Sequence, residues 1–102
     1  MALVRLCFKS ELPPEGQATE ITVGERVICV ANAHGEICAM DNVCLHRGGP
    51  LGQGLIEGNK IVCPWHGWMF DLHTGAAVHD SHARVPVYPI KIQGDEVMVD
   101  LE

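Results

Sequence analysis

Apolar residues along this chain come in short runs or alternate with polar ones, broken every few positions by glycine or proline. Leu3 to Phe8 is apolar and moderately β-prone, Leu12 to Gln17 holds Pro13, Pro14 and Gly16 and reads as a loop, and Thr19 to Val23 alternates. Arg26 to Asn32 and Glu36 to Met40 flank Ala33-His34-Gly35, the pattern of a hairpin. Lys60 to Val62 and Trp68 to Phe70 are short strands, and Asp71 to Gly75 ends on the turn pair Thr74-Gly75. Val87 to Gln93 and Glu96 to Leu101 flank Gly94-Asp95, a second hairpin. No window of a dozen residues keeps apolar positions at helical spacing. The pattern predicts an all-β domain, an antiparallel sandwich or barrel.

Residues 42 to 82 depart from this pattern. They are rich in Gly, His and Pro and poor in long strands. A metal centre can hold such a region, because binding at a site absent from the unfolded chain becomes folding energy. The 102 residues fit one domain. No apolar run approaches the roughly 20 residues of a membrane helix. The first ten residues carry Arg5 and Lys9 and lack a signal-like apolar stretch, so the expected location is the cytoplasm. A net charge of −6 argues against nucleic acid as a partner and fits a carrier that docks on a basic patch.

The five cysteines are an odd count with no signal sequence, which argues against a disulfide framework. Cys7, Cys29 and Cys38 lie in apolar stretches and read as buried reduced thiols. The other two carry a pattern: Cys44-Leu45-His46, then sixteen residues, then Cys63-Pro64-Trp65-His66. Each half offers one thiolate and one imidazole. Zinc accepts two Cys and two His, but its fingers usually pair Cys with Cys and His with His. A copper site of one Cys and two His would leave a cysteine over. An asymmetric [2Fe–2S] cluster fits best, one iron on Cys44 and Cys63 and the other on His46 and His66. Gly48, Gly49 and Gly67 follow the ligands closely and let the backbone turn its amides toward the sulfurs. Pro64, Trp65 and Leu51 are expected to cover the site, with Trp68 as further packing.

Cys44-Leu45-His46-Arg47-Gly48 and Cys63-Pro64-Trp65-His66-Gly67-Trp68, with Phe70-Asp71 and Thr74-Gly75 downstream, closely resemble the Rieske family. The resemblance implies a base of antiparallel strands, residues 1–41 and 83–102, with a cluster-binding subdomain inserted at about 42–82, the whole being one domain, 1–102. It implies one cluster, with both histidines near solvent and the Cys-bound iron deeper. Two thiolates and two neutral imidazoles cancel the charge of a doubly positive oxidised core. Four thiolates would make it a dianion, so Rieske potentials lie above the roughly −400 mV of plant-type ferredoxins. Respiratory members carry an extra Cys in each loop, forming a disulfide; the matching positions here are Gly49 and Trp65. Their hydroxyl donors match Trp68 and Phe70, which have none. The chain therefore resembles the low-potential ferredoxins of bacterial oxygenase systems.

That resemblance implies a monomeric one-electron carrier, not an enzyme, between a flavin-dependent reductase and a terminal ring-hydroxylating oxygenase. An oxygenase would need a further mononuclear iron domain, and no dinucleotide-binding glycine fingerprint is present. The alternative is the small subunit of an NADH-dependent nitrite reductase, partnered by its large subunit. A third reading is a zinc-stabilised binding module. Arg47 is a docking charge, a solvated side chain or a loop anchor. His34, His73, His79 and His82 read as turn or surface residues that bind nothing, and Glu57 and Asp80 as solvated surface.

Overall fold

The computed structural model describes residues 3–44, 48–65, 67–80 and 82–101. Among the described residues, ten strands form three antiparallel sheets. The first sheet joins β1 (Leu3–Phe8), β10 (Glu96–Asp100) and β9 (Ile90–Gln93). The second runs β2 (Ala18–Val23), β3 (Arg26–Ala33), β4 (Glu36–Asp41) and β8 (Val87–Tyr88). The third is β5 (Leu55–Glu57), β6 (Lys60–Val62) and β7 (Met69–Asp71). The described helical residues are two three-residue 3₁₀ turns, Lys9–Glu11 and Leu51–Gln53.

The second sheet is the middle layer, and the period of two explains how it serves two cores. Ile28, Val30 and Ala39 pack with Leu6, Cys7, Val97 and Val99 of the first sheet. Their neighbours Cys29, Ala31, Cys38 and Met40 pack the other way, against Ile61 and Phe70 of the third sheet and Cys44, Leu51 and Cys63. A strand buried on both faces needs a continuous apolar run, which Ile28-Cys29-Val30-Ala31 supplies.

The all-β class is as expected, and most strand limits fall within a residue or two of the expected ones. The β3–β4 loop is His34-Gly35, with Ala33 already paired to Glu36. Positive φ at both loop residues, 55° and 90°, is the type I′ pattern, so His34 occupies a backbone region that side chains rarely adopt. The run Val87 to Gln93 is not one strand. It breaks at Pro89, which has no N–H to donate. β8 then pairs with β4 and β9 with β10, so one stretch of chain passes from the second sheet to the first. β5 was not expected; three residues between Gly54 and Gly58 carry too short a pattern to read.

Candidate metal centre

Two loops converge on the core between the second and third sheets. The first leaves β4 through Asn42, a polar side chain only 6% exposed. The Asn42 amide donates to Glu20 Oε2 of β2 at 2.6 Å, and its Oδ1 accepts the Gly52 N–H at 2.7 Å. Its backbone carbonyl accepts from Leu51 N at 2.8 Å. One residue thus fastens both ends of the first loop to the base. Within the loop, Cys44 N donates to the Gly49 carbonyl at 2.9 Å and Gly48 N to the Cys44 carbonyl at 2.8 Å. Gly48 has φ 75°, so the expected backbone turn is present there.

The second loop joins β6 to β7. Cys63 N donates to the Trp68 carbonyl at 2.7 Å, closing the loop, and Trp65 N donates to Cys63 Sγ at 3.4 Å. This N–H to sulfur bond is of the kind that lowers the energy of a thiolate. The loops pack on each other: a β-carbon on Gly49 would lie 2.8 Å from Cys63 Sγ and 3.0 Å from Trp65 Cγ.

Cys44 and Cys63 are each 1% exposed. Burial pushes the Cys63 thiol up. The Trp65 N–H opposes that shift, and the neighbouring Cys44 side chain, hydrogen-bonded to Cys63, reinforces it. Two buried thiols side by side, one of them raising the proton affinity of the other, are a donor set suited to a bound cation, which stabilises thiolates. The residues present therefore fit half of an iron–sulfur site. His46 and His66, with Leu45 and Arg47, lie outside the described residues.

The covering residues divide. Leu51 is fully buried beside both cysteines, whereas Trp65 is 48% exposed and Pro64 lies at the surface. Trp68 packs its ring 6.3 Å from that of Phe70 and 6.2 Å from that of His79. Cys7, Cys29 and Cys38 are buried free thiols, as expected. Burial, with Glu20 and Cys38 nearby, pushes Cys29 up to about 12, and burial with Glu36 and Asp71 pushes Cys38 up to about 11. Glu57, Asp80, His34 and His82 are exposed. Sequence reasoning missed the pair Asn42 and Glu20. An amide two residues before the first cysteine was a faint signal, but nothing in the chain links it to a carboxylate 22 residues away.

Comparison with known proteins agrees with this arrangement. The family model of the Rieske [2Fe–2S] domain matches residues 2–89. The ferredoxin component of the naphthalene 1,2-dioxygenase system of Pseudomonas aeruginosa is 38% identical over 89 residues, 86% of this chain and 86% of that protein. The solved structure of a ferredoxin of Sphingomonas yanoikuyae B1 superposes with a TM-score of 0.86 at 30% identity, covering 99% of this chain and 100% of the other. A Mycobacterium tuberculosis structure described as an NADH-dependent nitrite reductase small subunit gives a TM-score of 0.84 at 20% identity, covering 96% and 93%, a likeness of fold. Two paired thiols on facing loops, the Cys-x-His and Cys-x-x-His spacings and a match over most of the chain agree: the protein belongs to the Rieske [2Fe–2S] domain family.

Proposed function

We propose that this chain is a one-electron carrier that takes electrons from a flavin-dependent reductase and gives them to a terminal ring-hydroxylating oxygenase, holding one [2Fe–2S] cluster on Cys44, His46, Cys63 and His66. The carrying observation is the convergence of Cys44 and Cys63, both almost wholly buried, from two loops that each carry a histidine two or three residues further on. Relatives named as ferredoxin components of dioxygenase systems, matching over most of both chains, support the partner class. The chemistry that the cluster supplies when bound is reversible one-electron transfer. The protein's part is to keep water from the cysteines with Leu51, to donate the Trp65 N–H to Cys63 Sγ, and to hold the loops on the Asn42 anchor.

The nitrite reductase reading has only a likeness of fold in its favour, so the ferredoxin reading stands. We read the chain as one domain, with a base of 1–41 and 83–102 and an insert of about 42–82; the third sheet, β5 to β7, pairs only within that insert and supports the division. A monomer in the cytoplasm suits a carrier. Among the described residues no helix is long and apolar enough to cross a membrane.

Metal and sulfide analysis tests the reading. Purified protein is expected to be red-brown, with about two irons and two acid-labile sulfides per chain. It should pass electrons from a reductase and NADH to a dioxygenase of this class. A colourless protein with one zinc on the same cysteines overturns it.

A further inference from the structure

A second group of metal-binding atoms lies away from the two cysteine loops. Glu36 and Cys38 are two apart on β4 and so share a face. His73 belongs to the turn after β7, in which the Asp71 carboxylate accepts the N–H groups of His73 at 2.8 Å and Thr74 at 3.0 Å. That turn brings His73 Nε2 to 2.7 Å from Glu36 Oε1. A carboxylate oxygen of Glu36, the Cys38 sulfur and a ring nitrogen of His73 all lie within 4.8 Å of one another. We propose that Glu36, Cys38 and His73 form a second metal site, which takes a borderline-soft divalent cation such as zinc.

Three observations point the same way. The donors are one oxygen, one nitrogen and one sulfur, the mixed set that zinc accepts in tetrahedral sites. Ligand atoms of such a site stand about 3.3–3.8 Å apart, so small rotations of the exposed Glu36 and His73 side chains close the site on the fixed thiol. Next, a cavity of about 290 Å³ is lined by Glu36, Cys38, Leu72, His73, Val87 and Tyr88, which leaves room for water as a fourth ligand. Finally, Asp71 Oδ1 accepts the His73 and Thr74 N–H groups, so the turn that presents the His73 ring to Glu36 is itself fixed.

Uptake would break the Cys38 S–H bond, form a metal–sulfur bond and release that proton to the buffer. A bound ion would also link β4 of the middle sheet to the turn that ends the third sheet, fastening the region of the cluster loops to the base. The competing picture is a surface ion pair of Glu36 with His73 beside an inert core thiol.

The experiment is calorimetric titration of the iron-loaded protein with zinc chloride, after brief chelation to remove adventitious metal, in two buffers of different ionisation enthalpy. The expected result, at a pH above the His73 titration range so that its ring is already neutral, is one zinc per chain bound at micromolar concentration or tighter, with one proton released from Cys38 and the visible spectrum and iron content unchanged. His73→Gln and Cys38→Ser should each weaken binding by at least about ten-fold. Glu36→Gln and His73→Gln change exposed side chains, so they test the site even where Cys38→Ser perturbs the core. No uptake overturns the proposal. So does uptake undiminished in His73→Gln, or zinc that enters only as iron leaves.

Discussion

The α-carbon of Gly49 rests against the sulfur of Cys63, close enough that a β-carbon there would stand 2.8 Å from Sγ and 3.1 Å from Trp65 Cβ. Gly49 and Trp65, the positions that the resemblance matches to the disulfide cysteines of respiratory Rieske proteins, thus lie against each other. Gly49→Ala should push the two loops apart. The expected outcome is a clear loss of iron and labile sulfide per chain, read by metal analysis and visible absorbance. Occupancy equal to the parent protein would show that the loops yield without cost.

Asn42 anchors the first loop, and its two contacts can be separated. Asn42→Ala leaves the Gly52 N–H without its acceptor and takes one of two donors from the Glu20 carboxylate, which keeps Gln53. Loss of a buried hydrogen-bond partner costs about 1–3 kcal/mol, measured by denaturant unfolding of the loaded protein. Asn42→Asp keeps the acceptor for Gly52 but sets a second carboxylate against Glu20. It should be worse than Ala at neutral pH and recover as pH falls. A pH-independent loss in Asn42→Asp would remove Glu20 from the account.

Stability should depend on pH through Asp71 and His73 in zinc-free buffer. Burial alone would push the Asp71 carboxyl up. The N–H groups of His73 and Thr74 outweigh it, helped by the charges of His73 and Lys60, and the net shift is downward. Its contribution is present above the ordinary carboxyl range, about pH 4, and is lost as pH falls through the lowered value. His73 is shifted upward, first by its hydrogen bond to Glu36 and then by that group's charge. Its contribution is complete below the ordinary imidazole range and is lost as pH rises through the raised value. Thermal unfolding against pH should show Asp71→Asn flattening the acid limb and His73→Gln the alkaline one. The pair is solvent-exposed, so the second effect is small.

Reduction potential follows from hydrogen bonding to the cluster. Donors to the sulfurs stabilise the added negative charge and raise the potential. Phe70 is fully buried in the core that holds both cysteines, and neither it nor Trp68 carries a hydroxyl. The expected potential lies near the low end of the Rieske range, on the order of −150 mV, and is almost flat with pH near neutrality. Protein-film voltammetry across pH measures both. A potential well above zero, or a steep slope at pH 7, contradicts the prediction.

The local rules of the chain determined much of this protein. Alternation and turn pairs specified strands and hairpins because a two-residue loop and its flanking positions are neighbours in sequence. The family was legible for the same reason: each of the two cysteines shares a short loop with a histidine, and that spacing restricts the metals such loops suit. The tertiary structure decided what depends on distant residues meeting. Pairing of β1 with β10, at opposite ends of the chain, requires long-range closure that no local pattern encodes. The break at Pro89 was visible as a proline, but its meaning, one strand divided between two sheets, depends on β4 and β10 standing on either side. Asn42 found Glu20 across 22 residues, and His73 found Glu36 across 37. Read singly, these are ordinary surface and loop residues; they acquire partners only when sheet packing brings their atoms within hydrogen-bonding distance.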